Sequence, residues 1–212
     1  MAGTDHADEG SEQELLIRVG AADGAADRSF PRPQVPAFAV PRQRLTALLD
    51  LASHQRLAIV VAPPGYGKTT LIAEWADAHP RQRIRWMQLG TEGDVSASFM
   101  DDLAGVLELP LASEGSIAPA RSGSARAGRT PLLRSMLSGF ERMPPTTLVI
   151  DDFQELTDQA VVDALATLID HAHPALRVII ATRVDLPRRF YRLGVDDALV
   201  EIRQQDLEFT SE

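Results

Sequence analysis

Two hydrophobic spacings alternate along the chain, one typical of buried strands and one typical of amphipathic helices. Uninterrupted apolar runs occur at residues 57–61 (LAIVV) and 178–181 (VIIA), and each has the length of a buried strand. Elsewhere apolar residues recur every three or four positions, as at Leu165, Leu168 and Ile169, which places them on one helix face. Strands that alternate with helices in this way predict an α/β fold whose mainly parallel sheet is covered on both faces.

This pattern has two interruptions. Residues 1–36 are rich in Ala, Gly, Asp and Glu and end in PRPQVP, a sequence that favours extended backbone. We therefore predict an acidic, disordered N-terminal tail over residues 1–36 and one folded domain over residues 37–212. Residues 111–130 are small, polar and rich in Gly and Ser, and they predict a flexible surface loop inside that domain.

Composition and charge narrow the class of protein. The chain of 212 residues has no cysteine, which excludes disulfides, thiolate metal sites and a cysteine nucleophile. No window approaches the roughly 18 uncharged apolar residues of a membrane span. The N-terminus lacks the basic-then-apolar order of a secretory signal, so we expect a cytoplasmic protein without membrane contact. The net charge is −9, of which −5 lies in residues 1–28, and it argues against a DNA-binding surface on this chain.

The segment after the first apolar run, APPGYGKTT, carries the strongest chemical signal. It follows a strand and opens a helix, which is the context that the phosphate-binding pattern G-x-x-x-x-G-K-[ST] requires. Gly65 and Gly67 allow backbone N–H groups to turn inward, and the N-terminal end of the helix favours an anion. Lys68 supplies a charge for the β- and γ-phosphates of a nucleotide, and the Thr69 hydroxyl is suited to ligate Mg²⁺. The predicted nucleotide-binding residues are Ala62, Pro63, Pro64, Gly65, Tyr66, Gly67, Lys68, Thr69 and Thr70.

Ala62 departs from the pattern, which asks for glycine at this position. Alanine adds one methyl group where the strand leaves the sheet, and it costs little if the φ angle stays negative. The substitution removes no phosphate ligand. The alternative interpretation is a Gly/Pro turn that binds nothing, but such a turn leaves the pairing of Lys68 with Thr69 unexplained.

A second motif, LVIDDF at residues 148–153, places two acids at the end of another apolar run. Asp151 is positioned to hold Mg²⁺ through water, and Asp152 is positioned to orient or deprotonate an attacking water. Glu155 lies close enough in sequence to be an alternative base. Adjacent aspartates also begin ordinary turns, but Asp151 follows Thr69 by 82 residues, and two motifs in this order favour a nucleotide site.

A third apolar run ends in Thr182 and Arg183. A polar residue at the tip of a strand beside the phosphate loop can sense the γ-phosphate, and both residues are candidates for that role. Exposed arginines also form ordinary surface ion pairs. A surface salt bridge is therefore the alternative interpretation of Arg183.

These motifs occur in a particular order together with VPRQRL before the first strand and LVEIRQQDLEFTSE at residues 199–212. In that order the chain resembles the nucleotide-binding (NB-ARC/AAA-like) domain of MalT-like, LuxR-family transcriptional regulators, which are STAND-class P-loop ATPases. The resemblance covers about residues 36–212. Its tandem Asp-Asp and its ATR strand end are more specific than the phosphate loop, which many families share.

The resemblance implies a three-layer α/β/α P-loop NTPase core whose five-stranded sheet has the order 5-1-4-3-2. It also implies a switch that is ADP-bound and closed at rest, and ATP-bound and self-associating once an inducer binds. The implied cofactors are ATP or ADP with Mg²⁺. The implied roles are phosphate binding by Lys68 and Thr69, metal binding by Thr69 and Asp151, positioning of the hydrolytic water by Asp152, sensing by Arg183 and proximity to the nucleotide for Arg42.

Two functions of different classes remain open at this point, while a third, a metabolic or nucleic-acid-processing P-loop enzyme such as a kinase or helicase, finds no second basic or aromatic surface in the sequence. The first is a regulatory ATPase module that hydrolyses ATP slowly with Mg²⁺. The alternative is a non-catalytic nucleotide-binding or interaction scaffold, which Ala62 slightly favours. The helical repeats and the C-terminal helix-turn-helix of such regulators do not fit in 212 residues, so DNA contact is expected only through domains absent from this chain. Whether the chain is a fragment or a natural short protein is left open.

Overall fold

A five-stranded parallel sheet forms the centre of the protein. The computed structural model describes residues 31–52, 55–90, 95–109, 125–172, 175–193 and 199–208. Its strands are β1 (Leu57–Val61), β2 (Arg83–Gln88), β3 (Thr146–Asp151), β4 (Leu176–Thr182) and β5 (Val200–Arg203). Every neighbouring pair is parallel, and the order is β2-β3-β4-β1-β5, which is 5-1-4-3-2 read from the other edge. The predicted fold class and strand order are confirmed.

The three central strands are buried almost throughout because helices cover both of their faces. Every residue of β1 and β3 is buried, and in β4 only Arg177 is partly exposed. This burial is the reason that these segments are continuous apolar runs in the sequence rather than alternating ones. β2 and β5 lie at the two edges of the sheet and are only partly buried.

The helices form one layer on each face of the sheet. They are α1 (Gln43–Ala52), α2 (Lys68–Ala78), α3 (Val95–Val106), α4 (Ala125–Phe140), α5 (Gln159–Ala172), α6 (Arg188–Arg192) and α7 (Gln204–Leu207). One core lies under α1, α2 and α7 and contains Leu49 and Trp75. The other lies under α3 to α6 and contains Phe99 and Phe190. In the part of the chain that the structure describes, no helix has the length and apolar character needed to cross a membrane.

The folded domain begins earlier than the predicted boundary between residues 36 and 37. Arg32 forms an ion pair with Asp77 of α2 at 2.6 Å. Val35 packs against the core beneath α1 and α2. Val35 is the apolar residue of PRPQVP, and its partial burial attaches an extended segment that composition alone assigns to a tail. The rest of the predicted tail, residues 1–30, lies outside the described residues.

The predicted loop at residues 111–130 overlaps the first turns of α4. That helix begins at Ala125, so residues 125–130 are helical rather than part of a loop. Alanine and arginine favour helix, so the sequence ARA at residues 125–127 is compatible with a helix start. The surrounding Gly and Ser residues, which are typical of loops, outweigh this signal in the sequence pattern. The remaining part of the predicted loop, residues 111–124, lies outside the described residues.

Four strand ends meet along one edge of the sheet, which we call the carboxyl edge. The register pairs Val61, the last residue of β1, with Thr182 of β4 and with Arg203 of β5. Asp151 is the last residue of β3, which pairs with β4 on the opposite side from β1. In open parallel sheets the loops that follow such ends form the usual ligand crevice. The predicted functional residues therefore lie on the edge where a ligand is expected.

Candidate functional site

The loop that joins β1 to α2 lies at the carboxyl edge. Gly65 and Gly67 have φ angles of 83° and 76°, a left-handed conformation that glycine adopts without strain. Gly67 is the N-cap of α2 and provides no side-chain acceptor for the first N–H groups of the helix. Ala62 does not have a positive φ, because within the described residues only Glu108 and Asp152 do so apart from glycine. Alanine therefore occupies the first position of the pattern without backbone strain.

Lys68 is the only lysine of the chain, which has 20 arginines. Its Nζ donates hydrogen bonds to the carbonyl oxygens of Ala62 at 2.7 Å and Pro63 at 3.1 Å. Burial lowers the pKa of Lys68, and the charges of Asp152 and Asp151 partly oppose that shift. A desolvated ammonium group held over a glycine-rich loop is stabilised by an additional anion, and a phosphate group meets that requirement.

Thr69 and Asp151 are brought together at the carboxyl edge. The Thr69 hydroxyl donates to Asp151 Oδ2 at 2.7 Å. The Asp151 residue is 1% exposed; burial raises the pKa of its carboxyl, and the bond from Thr69 opposes that rise. Two hard oxygen ligands side by side suit Mg²⁺ when phosphates and water complete its coordination. The described residues contain no group of three or more His, Cys, Asp or Glu that could hold a metal, so a cation here would need a ligand's oxygens.

Asp152 adopts a left-handed backbone with φ 55° and ψ 42°, which is uncommon outside glycine. Its N–H donates to Asp151 Oδ1 at 3.0 Å. Its own carboxylate Oδ1 accepts from Arg183 Nη2 at 3.2 Å and from Gln154 Nε2 at 2.9 Å. The turn separates the two acids, so Asp151 is buried in the protein while one quarter of the Asp152 side chain is exposed (25%).

The end of β4 presents one of its two predicted sensor residues to the site. Thr182 is fully buried, and its hydroxyl bonds to the backbone oxygen and nitrogen of Val184 at 3.1 and 3.3 Å. The Arg183 side chain is 43% exposed and reaches the carboxylate of Asp152. The salt bridge considered as an alternative for Arg183 is therefore present, and its partner is the predicted base rather than a distant surface acid.

Arg42 lies against the loop from the segment that precedes α1. Its Nη1 donates to the Tyr66 carbonyl at 3.1 Å, and its N–H donates to Glu74 Oε1 at 3.2 Å. The guanidinium group lies 3.7 Å from the position that a side chain at Gly67 would occupy. That distance is an ordinary van der Waals contact, so the positive φ of Gly67, rather than a lack of space, favours glycine at this position. Residues from the start of the domain and from the loop are in direct contact.

Two glutamines that join parts of the site were not predicted from the sequence. Gln204 of α7 donates to the Tyr66 hydroxyl at 3.0 Å. Gln154 contacts the side chain of Glu155 at 3.3 Å and accepts from the Arg183 N–H at 3.0 Å, besides its bond to the predicted base. Glutamine carries no distinctive sequence signal. Only the position of Gln154, two residues beyond the tandem aspartates, could have indicated it.

A cleft of about 730 Å³ opens beside the loop, between the ends of β1, β4 and β5. The loop contributes Ala62 and Pro63 to its wall. Arg203, at the end of β5, lines the cleft and forms ion pairs with Asp185, which also lines it, at 3.0 Å and with Glu201 at 2.7 Å. The volume lies within the range of pockets that hold small-molecule ligands. The carboxyl edge thus combines a glycine-rich loop, paired oxygen ligands and adjoining space.

Residues 50–190 match the model of a family described as AAA domain. The chain belongs to this family. This AAA domain is similar to the HTH-type transcriptional regulator MalT of Yersinia pestis (strain Pestoides F), with 32% identity over 174 residues, which is 80% of this chain and 19% of that protein. The MalT regulator of Cronobacter sakazakii is 31% identical over 184 residues, which is 84% of this chain and 20% of that protein. The chain spans about one fifth of the length of these curated relatives.

A solved structure has the same fold as this AAA domain. It is the structure of Drosophila ORC bound to DNA, which superposes with a TM-score of 0.52 over 76% of this chain and 87% of that chain. The sequence identity is 9%, so the likeness concerns the fold alone. It agrees with the three-layer architecture described above.

Proposed function

We propose that this AAA domain binds ATP and ADP together with Mg²⁺ and hydrolyses ATP slowly, as the nucleotide switch of a MalT-like transcriptional regulator. The observation that carries the proposal is the meeting of three groups at the carboxyl edge: the desolvated ammonium of Lys68, the hydroxyl of Thr69 and the buried carboxylate of Asp151. Family membership and the similarity to regulators named MalT support it.

The loop and its neighbours would bind the phosphates. Lys68 would exchange its bonds with two loop carbonyls for bonds with the β- and γ-phosphate oxygens, which keeps the buried cation paired. The first N–H groups of α2, which follow a glycine N-cap, would donate to the same phosphates. Arg42, held against the loop, would lie near the nucleotide. All three contributions favour a ligand with several negative charges.

Thr69 and Asp151 fit a magnesium site and would hold the ion, with Asp151 acting through water. Mg²⁺ bound there supplies charge neutralisation on the β- and γ-phosphates. The contribution of the chain is a pair of oxygen ligands whose positions are fixed by a direct bond of 2.7 Å. Because Asp151 is buried, a cation also offsets the cost of keeping its carboxylate ionised.

Asp152 would act as the base in hydrolysis. It would accept the proton of a water molecule as the water oxygen bonds to the γ-phosphorus and the bond to the bridging oxygen of ADP breaks. The exposed part of the carboxylate then gives the proton to solvent. Arg183 would stabilise the charge on the transferred phosphoryl group, since its guanidinium lies beside the same carboxylate.

One observation favours the non-catalytic scaffold as a second candidate. The two donors to Asp152, from Arg183 and Gln154, converge on the same oxygen, Oδ1. A carboxylate that bridges Arg183 and Gln154 already has a structural role, which explains its presence without hydrolysis. A chain that binds nucleotide but does not hydrolyse ATP would fit this second candidate.

The proposed switch would act through self-association in the ATP-bound form, in the cytoplasm. We assign any contact with DNA to parts of the regulator other than these 212 residues, whose net charge of −9 opposes binding to nucleic acid phosphates. A preference of the isolated chain for ADP over ATP would support a resting form that holds ADP.

Calorimetric titration with ATP and with ADP, in the presence of Mg²⁺, tests the proposed function. The wild-type chain should bind saturably, and Lys68→Ala should weaken binding at least about tenfold, or 1.4 kcal/mol, because the phosphates lose their cation. Arg142→Ala is the matched control, since it removes an exposed cation near the start of β3, at the opposite edge of the sheet. A folded wild-type chain that binds neither nucleotide would contradict the proposal.

A further inference from the structure

Gln154 connects the ends of β3 and β4 through both halves of its amide group. Its Nε2 donates to Asp152 Oδ1 at 2.9 Å and to Glu155 Oε1 at 3.3 Å. Its Oε1 accepts from the backbone N–H of Arg183 at 3.0 Å. One side chain therefore bridges the turn after β3 and the residue that follows β4.

The partners of Gln154 determine which way its amide group faces. The N–H of Arg183 can only donate, so it must meet the amide oxygen. The carboxylate oxygens of Asp152 and Glu155 act as acceptors here, so they must meet the amide nitrogen. A reversed amide would place its NH₂ group against the N–H of Arg183, donor against donor. It would also place its oxygen against the two carboxylates, acceptor against acceptor. The network thus allows one orientation of this side chain.

Asp152 depends on such contacts more than an ordinary strand-end residue does. Its φ of 55° places it in a region that persists for a non-glycine residue when surrounding contacts fix it. The guanidinium of Arg183 bonds to its carboxylate at 3.2 Å. Because Gln154 bonds to the same carboxylate and to the main chain of Arg183, it fixes the separation between these two residues.

We propose that Gln154 is a positioning residue for ATP hydrolysis, which holds the carboxylate of Asp152 and the main chain of Arg183 in one arrangement. The inference rests on the proposed function. Gln154 acts through its two partners, and the bond changes are those of hydrolysis: the water oxygen bonds to the γ-phosphorus, the bond to ADP breaks, and Asp152 takes the proton. Losing Gln154 should slow this step and leave phosphate binding at Lys68 intact.

Two substitutions separate the two halves of the amide. Gln154→Glu keeps an oxygen that can accept from the Arg183 N–H, but it has no donor for Asp152. Gln154→Ala removes both contacts. The matched control is Gln159→Glu, because Gln159 donates to Asp163 Oδ1 at 3.3 Å on the exposed surface of α5. The same replacement is thereby made at a second glutamine–aspartate contact, outside the site.

Amide hydrogen exchange of the nucleotide-free protein, followed by NMR, tests the contact itself. In Gln154→Ala the Arg183 amide should exchange about tenfold faster or more, since it loses its acceptor. In Gln154→Glu and in Gln159→Glu the exchange of this amide should remain as in the wild type. Wild-type exchange at Arg183 in Gln154→Ala would overturn the proposal, because the bridge would then fix nothing.

Steady-state ATP hydrolysis and ADP binding test the consequence. Both Gln154 variants should lower kcat by about tenfold or more and leave KM for ATP and the affinity for ADP within about twofold, while Gln159→Glu changes none of these values. Unchanged kcat in both variants would overturn the proposal, as would a loss of ADP affinity as large as the loss in kcat.

The wild-type chain distinguishes this inference from the proposed function. If it binds nucleotide but hydrolyses ATP no faster than Lys68→Ala, the positioning role of Gln154 is refuted and nucleotide binding stands. If the folded chain binds neither ATP nor ADP, the proposed function itself fails. The wild type should hydrolyse ATP slowly but faster than Lys68→Ala, and both Gln154 variants should lower its rate. That result supports both the proposed function and the positioning role of Gln154.

Discussion

Asp152 and Glu108 have the same unusual backbone and opposite surroundings. Within the described part of the chain they are the two non-glycine residues with a positive φ, 55° and 54° respectively. Each is an acid that pairs with arginine. Asp152 bonds to Arg183, and Glu108 bonds to Arg83 and Arg85 of the edge strand β2. From the backbone and the ion pairs alone, either residue could mark a functional site.

The conformation of Glu108 has an ordinary structural cause. It follows α3, where the N–H of Leu109 donates to the Ala104 carbonyl and the N–H of Glu108 donates to the Gly105 carbonyl, each at 3.0 Å. These two bonds form the Schellman motif that ends many helices with a left-handed residue. The side chain is 58% exposed, and the hydrogen bond from Arg83 is the main reason that its pKa is lowered. Glu108 thus terminates a helix and joins it to β2.

Asp152 lacks that explanation, because it follows a strand and begins the short turn Phe153–Glu155. Its neighbours are the buried Asp151 and the buried Lys68, whose pKa values are displaced mainly by desolvation. The comparison teaches that neither a left-handed acid nor an acid–arginine pair identifies a site. What distinguishes Asp152 from Glu108 is its position beside the buried Lys68 and Asp151 of the proposed nucleotide site.

The largest expected difference between the two acids is in hydrolysis. Asp152→Asn keeps an acceptor for Arg183 and tolerates the left-handed backbone, but it cannot take a proton. Its single-turnover rate should fall by about 10²–10⁴ with little change in ADP affinity. Glu108→Gln should hydrolyse ATP at the wild-type rate. Equal rates for the two variants would remove the distinction between these acids.

Removing a hydrogen-bond partner should destabilise the protein more at the buried Asp151 than at the exposed Glu108. Thr69→Val leaves the buried carboxylate of Asp151 without its hydroxyl donor and should lower the free energy of unfolding by about 1–3 kcal/mol in urea. Arg85→Gln removes one partner of the exposed Glu108 and should cost much less, since solvent screens that pair. A larger loss in Arg85→Gln would contradict the assignment of burial as the deciding factor.

The pH dependence of stability should have opposite signs at the buried and the exposed acid. Burial raises the pKa of Asp151 in the folded protein. The contribution of Asp151 to stability is therefore fully present below pH 3.8, and it is lost as the pH rises through the pKa of the folded state. The pKa of Glu108 is lowered in the folded protein. The contribution of Glu108 to stability is therefore fully present above pH 4.5, and it is lost as the pH falls through the pKa of the folded state. In metal-free buffer, the free energy of unfolding of the wild type minus that of Asp151→Asn should therefore decrease as the pH rises. The same difference taken against Glu108→Gln should increase. Urea unfolding over the acid range measures both slopes, and slopes of one sign would refute the comparison.

The smallest expected effect concerns the backbone, where the two acids should behave alike. Glycine adopts a left-handed conformation more easily than alanine, and both replacements remove the side-chain contacts. Asp152→Gly should therefore be more stable than Asp152→Ala by about 1 kcal/mol. Glu108→Gly should likewise be more stable than Glu108→Ala. If thermal unfolding shows the alanine variant to be the more stable at either position, the left-handed conformation there is wrong.

The sequence predicts the positions of Lys68, Thr69 and Asp151 in the fold because the signals for these positions are local. The strand–loop–helix context places Lys68 and Thr69 at the start of α2, and the apolar run before Asp151 places that acid at a strand end. Parallel strands end on the same edge, so the meeting of Thr69 with Asp151 follows from the topology. The strand order itself follows from the resemblance to a family rather than from the spacing of residues.

The remaining contacts are not predictable from local pattern. Arg42 meets Tyr66 and Gln204 meets Tyr66 because α1 and α7 pack on the same face as α2, which no spacing reveals. The conformation of Asp152 depends on partners 2 and 31 residues away. The start of α4 at Ala125 is hidden by small residues whose composition is typical of loops.

The most direct test of the nucleotide site uses the fact that Lys68 is the only lysine of the chain. Protein labelled with ¹³C at the lysine ε-carbon should give a single lysine signal in an NMR spectrum. With Mg²⁺ present, addition of ATP or ADP should shift that signal saturably and raise the pKa of Lys68, because phosphate charges oppose the lowering caused by burial. A folded chain whose lysine signal and titration stay unchanged in a large excess of either nucleotide would contradict the site.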